Sequence, residues 1–117
     1  MKQILLVATG GAVGSVVRFL TSYFVVRIET FTFPVATFIV NILGCFCIGI
    51  FTTLFPENNL RFLLIAGFCG GFTTFSTFAN ETLTLINNNQ IPLAIVYVVL
   101  SCVVGLGAVW LGMYLAK

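Results

Sequence analysis

The polar residues that could do chemistry in this chain lie inside long apolar segments. Asn41 interrupts the uncharged stretch 30–56, and hydroxyl side chains gather in the segment 67–78, whose sequence is GFCGGFTTFSTF. Hydroxyl and amide groups donate hydrogen bonds while staying neutral, so they can bind a small anion without the deep trap that a full positive charge creates. These residue types therefore allow two roles, hydrogen bonds between helices and donation to an anion.

The glycine pair in this segment favours an interruption of the helix. Gly70 and Gly71 are poor helix formers, and four hydroxyl residues follow them within the segment. Backbone groups freed at membrane depth must line a cavity or bind something. A half-helix after the break offers N–H donors to an anion, and loosened carbonyls can hold a small cation. The alternative is a continuous packing seam whose Ser and Thr side chains bond to their own helix.

Four phenylalanines accompany the hydroxyl residues. Phe68, Phe72, Phe75 and Phe78 follow steps of four, three and three residues, which predicts one stripe along a helix. Such a stripe is usually core or lipid-facing surface. A phenyl ring also has a positive edge, so ring edges can line an anion path without a formal charge.

Other polar residues at membrane depth have two interpretations each. Arg18 either forms an electropositive vestibule that attracts anions, or fixes its helix by snorkelling to the interface or by pairing with a carboxylate such as Glu81. Asn41 either hydrogen-bonds between helices or points its amide N–H at an anion. On the fourth apolar segment, Tyr97 and Ser101 lie one turn apart and either bond to the third helix or face an ion path.

The composition excludes several classes of function. Histidine is absent, and all four cysteines lie inside apolar runs, where thiols behave as small hydrophobic residues. We therefore expect neither a disulfide nor a transition-metal site. The chain has no nucleophile–base pair and no cofactor motif, so we do not expect an enzyme. Its net charge of +2 is too small and too scattered for a nucleic-acid partner.

The elements that must position these residues are membrane-spanning helices. Of the 117 residues, 60% are hydrophobic and 7% are charged, and the stretches 30–56, 62–80 and 82–116 carry no charge. A helix needs about 20 mostly apolar residues to cross the bilayer core. The sequence predicts an all-α membrane protein: a single domain, 1–117, of four transmembrane helices at about 4–26, 34–55, 61–87 and 92–116. The third helix is expected to be broken near its middle.

Short polar segments separate the predicted spans. Arg27, Glu29 and Thr30 predict the first loop, and residues 56–59 and 87–90 predict polar turns. Pro34 and Pro92 suit the opening turns of the second and fourth spans. The first apolar run also resembles a signal peptide, but the apolar pattern continues past residue 18, which favours an uncleaved span.

Glycine spacing bears on helix packing. Gly10 with Gly14, and Gly67 with Gly71, show the small-xxx-small spacing that lets helix backbones approach closely. This spacing is explained by packing within one chain. An oligomer is nevertheless favoured, because one thin four-helix chain offers too little protein surface to enclose the polar groups.

The basic residues give little orientation signal. With four spans the two ends share a side, which holds Lys2, Arg61 and Lys117. The opposite side holds Arg27, joined by Arg18 if that side chain reaches the interface. So small a bias permits insertion in both orientations, and two copies could pair as an antiparallel, dual-topology homodimer.

These residues resemble a known family over essentially the whole chain. The sequence is similar to the small fluoride channels of the CrcB/Fluc family in the run 10–14 (GGAVG) with Arg18, in the pair Asn41 and Gly44, and in the segment 67–78 with Glu81. The last stretch is long and chemically unusual, which makes the resemblance specific.

The resemblance implies an antiparallel homodimer in the cell inner or plasma membrane, through which fluoride leaves the cytoplasm passively. By resemblance, the residues of the fluoride pathway are Asn41, Phe75, Ser76, Thr77, Phe78 and Ser101. Arg18 would lie near a pore mouth, and Glu81 would be a supporting polar residue. The backbone carbonyls of Gly70 and Thr73 from both copies would hold a structural sodium ion.

Two other functions are compatible with four spans. A proton-coupled small multidrug exporter needs a titratable carboxylate in its cavity, and Glu81 is the only candidate within the spans. A non-transporting assembly subunit would use the glycines only for docking, and it leaves the hydroxyl-rich segment without a purpose.

Overall fold

A computed structural model describes residues 1–28, 33–55 and 59–117. Within these ranges every regular element is helical: α1 is Lys2–Ile28, α2 is Val35–Leu54, α3 covers 59–72, α4 is Phe75–Asn87 and α5 is Ile91–Ala116. Four segments are long and apolar enough to span a membrane, and α3 and α4 together make the third of them. The prediction of an all-helical, four-span protein is confirmed.

The helix ends lie within about two residues of the predicted span boundaries, a deviation normal for helix termini. One residue differs from the prediction: Arg27 was placed in the first loop, but α1 continues through Ile28. The rest of that loop, Glu29 and Thr30, and the turn residues 56–58 lie outside the described residues.

The turns follow local chemistry. Pro34 directly precedes α2, and Pro92 lies in the first turn of α5, where its missing N–H leaves no helical bond unmade. Between α4 and α5, Asn89 has a φ of 62°, a left-handed conformation that asparagine tolerates better than most residues. The predicted polar turn near residue 88 is therefore present.

Two glycine-lined helix pairs build the fold. α1 packs along α3, where a Cβ added to Gly67 would lie 2.9 Å from the Cα of Gly10. α2 packs along α5, where a Cβ added to Gly112 would lie 3.2 Å from the Cα of Gly49. The small-xxx-small spacing of the first and third spans thus serves packing within one chain.

The third span is irregular before it breaks. Residues Phe62–Cys69 form a π-helical stretch within α3, flanked by Asn59–Arg61 and Gly70–Phe72 in α-helical geometry. The Gly70 N–H donates to the carbonyls of both Ile65 and Gly67 at the end of this stretch. π-helical turns are frequent at functional sites.

Few side chains are buried in one copy. Val40 and Tyr97 are fully buried, and Cys69, Phe72 and Ala94 are nearly so. Most large apolar side chains of α1 and α5 are exposed, as expected of helices that face lipid or a second copy. The cysteines are free thiols, and Cys69 packs in the interior.

Candidate functional site

The third span is interrupted at Thr73 and Thr74, which we call the helix break. Thr73 has φ −85° and ψ 159°, and Thr74 has φ −148° and ψ 120°, so both residues are extended. Gly70 is still helical, with φ −62° and ψ −37°. The break therefore follows the glycine pair, because the β-branched threonines favour extended backbone and have partners outside the helix.

Asn41 is one of those partners. Its Nδ2 donates to the Thr74 carbonyl at 3.2 Å, and its Oδ1 accepts from the Thr74 N–H at 2.9 Å. The side chain thus satisfies both backbone groups of a residue that has left the helix at membrane depth. Nδ2 carries two hydrogens, so one N–H of Asn41 is not used by Thr74.

Thr74 also begins the following helix. Its Oγ1 accepts from the Thr77 N–H at 3.3 Å and donates to the Thr77 Oγ1 at 3.1 Å. A threonine at this position caps a helix by satisfying one of its free N–H groups. Since the Thr77 hydroxyl accepts here, its own proton remains available to another acceptor.

The carbonyls around the break are partnered unequally. The Cys69 carbonyl accepts from the Thr73 N–H at 3.0 Å and from the Thr73 Oγ1 at 2.8 Å. The Gly71 carbonyl accepts from the Arg18 Nε at 3.1 Å. Among the described residues, the carbonyls of Gly70 and Thr73 receive no hydrogen bond. Two carbonyls at membrane depth are thus left to bind something else.

An open pocket of about 300 Å³ lies against the helix break. Its walls come from α2, α3 and the start of α4, and they include the residues Asn41, Gly44, Cys69, Gly70, Thr73, Thr74 and Phe75. The unbonded carbonyl residues and the asparagine that holds the break therefore share one cavity. A single cavity thus combines candidate anion donors with candidate cation ligands.

Arg18 does not pair with Glu81, so that interpretation of the sequence is wrong. Its guanidinium donates to the Gly71 carbonyl at the end of α3. Glu81 lies two turns into α4, where its Oε1 accepts from the Tyr97 hydroxyl at 3.1 Å. The arginine thus stabilises the end of the first half of the span, and the glutamate ties the second half to α5.

The contact between Glu81 and Tyr97 belongs to an aromatic cluster. The Tyr97 ring lies 4.9 Å from the Phe78 ring and 5.2 Å from the Phe33 ring, between centroids, and meets the latter edge-on at 83°. Phe38 also packs against this group. Of the two interpretations of Tyr97, bonding to the third span is the one observed.

The four phenylalanines do not form the single stripe that their spacing predicts. Phe68 and Phe72 stack at 5.7 Å on α3, whereas Phe75 and Phe78 lie 6.0 Å apart on α4. The extended Thr73 and Thr74 interrupt the helical period between the two pairs. Phe75 is 80% exposed, while Phe78 packs on Tyr97.

Two predicted pathway hydroxyls stand apart from these contacts. Ser76 is exposed in the first turn of α4, and Ser101 is half-buried on α5, one turn beyond Tyr97. Neither hydroxyl makes a hydrogen bond within the described part of the chain. The structure therefore joins Arg18, Asn41, Thr73 and Thr77 to the break. Ser76, two residues after the break, and Ser101, on α5, keep hydroxyls without a hydrogen bond among the described residues.

Sequence reasoning missed the roles of two residues at the break. Thr74 was treated only as one hydroxyl of a cluster, although a threonine three residues before Thr77 at the start of a helix is a capping signal. Gly44 was noted only for its spacing from Asn41. A Cβ on Gly44 would collide with the Thr73 Cγ2, so α2 lies directly against the break.

Comparison with known proteins identifies the family to which this arrangement belongs. Residues 5–113 match the family described as CrcB-like protein, Camphor Resistance (CrcB). The chain belongs to the CrcB-like family. The resemblance to this family is thereby confirmed.

Curated members of this family match the chain from end to end. A protein of Flavobacterium psychrophilum named Fluoride-specific ion channel FluC is 46% identical over 122 residues, covering 100% of this chain and 98% of that protein. The protein of the same name from Phocaeicola vulgatus is 45% identical over 121 residues, covering 100% of this chain and 100% of that protein. Fluoride-specific ion channel FluC 2 of Rhodococcus jostii is 45% identical over 114 residues, covering 97% of this chain and 98% of that protein. With its four membrane-spanning helices, this chain is a multi-pass membrane protein.

Proposed function

We propose that this chain is a fluoride-selective ion channel through which fluoride leaves the cell passively, which relieves fluoride toxicity. Relatives that match the whole chain are named as fluoride-specific channels. The observation that carries the proposal in this molecule is the pocket at the helix break, where Asn41 and Thr74 join neutral donors to a gap in a spanning helix.

Selection of fluoride follows from its size and hydration. Fluoride holds water strongly, so a channel must replace that water with close hydrogen-bond donors in a narrow track. The donors with a proton to spare are the second N–H of Asn41 and the hydroxyls of Ser76, Thr77 and Ser101. Because these groups are neutral, the ion can also leave.

Phenyl rings complete the pathway. Phe75 and Phe78 have centroids 6.0 Å apart and planes tilted by 46°, so they can present positive ring edges to an anion. Phe75 is free to meet a second copy because its ring is largely exposed. Arg18 adds positive potential beside the helix break, where it donates to the Gly71 carbonyl, and Glu81 supports Tyr97 beside Phe78.

The channel is an antiparallel, dual-topology homodimer in this proposal. One copy buries few side chains, and its pocket at the break is open. A second copy against that face closes the pocket and surrounds Phe75. The weak bias between Lys2, Arg61 and Lys117 on one side and Arg27 on the other allows both insertions.

A structural sodium ion fits the residues at the dimer centre. The carbonyls of Gly70 and Thr73 are hard, neutral oxygen ligands without hydrogen bonds in the described residues, and both residues line the pocket. Each copy offers this pair, and in the proposed antiparallel dimer the carbonyls of Gly70 and Thr73 from both copies would hold the cation. When bound, sodium supplies the positive charge that offsets carbonyls left unpaired at membrane depth.

The two other functions lack support from the contacts. A proton-coupled exporter needs a titratable carboxylate in its cavity, but α1 has no acidic residue and Glu81 bonds to Tyr97 outside the pocket. A docking subunit has no use for the unbonded carbonyls of Gly70 and Thr73. In the described ranges 1–28, 33–55 and 59–117, no arrangement of side chains points to an enzyme.

A growth experiment tests the proposed role in the inner or plasma membrane. The chain is expressed in a bacterium whose own fluoride export has been deleted, and growth is measured at increasing fluoride. Restored growth in fluoride, with unchanged tolerance of chloride, is the expected result. A chain that reaches the membrane and leaves the strain fluoride-sensitive contradicts the proposal.

A further inference from the structure

Gly44 makes a close contact with the helix break that the ion pathway does not explain. It lies three residues after Asn41 on α2, so the two positions share one face of that helix. A Cβ added to Gly44 would collide with the Thr73 Cγ2 methyl. The methyl of Thr73 thus occupies the space that any other residue at position 44 would need for its side chain.

The Thr73 side chain cannot rotate away without loss. Its Oγ1 donates to the Cys69 carbonyl at 2.8 Å, and its backbone N–H donates to the same oxygen at 3.0 Å. A threonine has two heavy atoms on Cβ, so the direction of the hydroxyl also fixes the direction of the methyl. A side chain at position 44 would therefore move the Thr73 backbone or break its bond to Cys69.

We propose that Gly44 is a positioning residue, whose missing side chain seats the Thr73 methyl and thereby fixes the direction of the Thr73 carbonyl at the helix break. α2 then holds the break at two successive residues: Asn41 hydrogen-bonds to the Thr74 backbone, and Gly44 packs against the Thr73 methyl. The effect on ion passage rests on the proposed function, since Thr73 lines the pocket at the break.

The geometry also predicts which second change repairs the first. Once the Thr73 methyl is removed, the atoms nearest a Cβ at position 44 are the Phe72 Cδ2 at 3.4 Å and the Thr73 Cβ at 3.5 Å. These are ordinary van der Waals distances. Serine at position 73 lacks the methyl but keeps the hydroxyl that bonds to Cys69. Alanine at 44 and serine at 73 should therefore fit together although alanine at 44 alone does not.

The test compares four proteins, wild type, Gly44→Ala, Thr73→Ser and the double variant, with Gly107→Ala as the control. No atom lies within 4 Å of a Cβ added to Gly107, which is also a helical glycine in a span. Each protein is taken from its monodisperse fraction and reconstituted into liposomes, and fluoride efflux is measured per amount of protein. The thermal unfolding midpoint of each is measured in detergent.

Gly44→Ala should slow fluoride efflux by at least about tenfold, because the added Cβ overpacks the contact with Thr73. Adding Thr73→Ser to this variant should restore efflux to within about threefold of wild type. Gly107→Ala should stay within about twofold of wild type, and Thr73→Ser alone is the reference with which the double variant is compared. The unfolding midpoint should fall in Gly44→Ala and recover in the double variant. If Gly44→Ala yields no folded protein, the double variant should still fold and conduct.

Two results overturn the proposal: Gly44→Ala with wild-type efflux and midpoint, or a double variant no better than Gly44→Ala in both. Failure of the proposed function looks different. In that case wild type and Gly107→Ala release no fluoride, and the recovery of the midpoint in the double variant alone decides whether Gly44 seats Thr73. Recovery then supports the contact, and its absence refutes it.

Discussion

The Asn41 side chain hydrogen-bonds to both backbone groups of Thr74, through Nδ2 to the carbonyl at 3.2 Å and through Oδ1 from the N–H at 2.9 Å. The amide therefore replaces the helical partners that Thr74 loses at the break. It also keeps one N–H, and Asn41 lines the adjoining pocket. Of the two interpretations that the sequence context of Asn41 left open, the bond between helices is observed. The N–H that Thr74 does not use keeps donation to an anion as a prediction.

Replacement of Asn41 by aspartate should block fluoride efflux. A carboxylate oxygen would face the Thr74 carbonyl where an N–H now donates, and a fixed negative charge beside the pocket would repel the anion. Each unsatisfied buried group also costs about 1–3 kcal/mol of stability. Efflux from liposomes and the unfolding midpoint measure the two effects.

Asn88→Asp is the control for this change, because Asn88 is exposed in the turn between α4 and α5. It should conduct like wild type. Wild-type efflux in Asn41→Asp would mean that neither the bonds of Asn41 to Thr74 nor its donation to the anion is needed for fluoride passage.

Phe75→Ile and Phe78→Ile should both reduce fluoride efflux but differ in stability. Phe75 is 80% exposed in one copy, so its replacement removes a ring edge from the pathway at little cost to the fold. Phe78 lies 4.9 Å from the Tyr97 ring, and loss of that aromatic pair should cost about 1 kcal/mol. Efflux and the unfolding midpoint are measured side by side.

Phe24→Ile is the matched control, since Phe24 is exposed on α1 and contacts only Tyr23 among the aromatic rings described. Its efflux should be unchanged. If Phe75→Ile conducts normally, the phenylalanines serve packing rather than the ion.

Tyr97→Phe should destabilise the protein more than Glu81→Gln does. The tyrosine hydroxyl is the donor to Glu81 Oε1 at 3.1 Å, and phenylalanine removes that donor while the carboxylate stays in place. Glutamine at 81 still accepts through its amide oxygen. The expected difference is about 1 kcal/mol in unfolding free energy. The opposite order would mean that the charge of Glu81, rather than its bond to Tyr97, supports α4.

The sequence was sufficient to predict the spans and the segment that carries the site. Long uncharged stretches bounded by Pro34, Pro92 and polar turns locate the helices, because membrane crossing depends on length and apolarity. Glycine and hydroxyl residues crowded into 67–78 likewise indicate a broken helix from the local sequence. These features depend on neighbouring residues alone.

The details of the break depend on contacts between helices, which spacing does not encode. The break falls at Thr73 and Thr74, after the glycines, because Asn41 bonds the Thr74 backbone from another helix. Arg18 bonds to the Gly71 carbonyl and not to Glu81, because α3 ends beside α1. The phenylalanine stripe is split because its helical period assumed a continuous helix, which the break interrupts.

Dual topology predicts that both orientations occur in one membrane. A tag after Lys117 should react with a membrane-impermeant reagent in about half of the molecules on each side, because the basic residues are nearly balanced between sides. Labelling from one side only, in every molecule, is incompatible with an antiparallel dimer.

The central claim is that neutral donors and ring edges at the helix break admit fluoride and exclude chloride. Purified protein is reconstituted into liposomes loaded with both halides, and fluoride and chloride release are followed with two ion-selective electrodes in the same sample. The account predicts rapid fluoride release with chloride retained. Comparable release of the two ions, or no fluoride release, would contradict it.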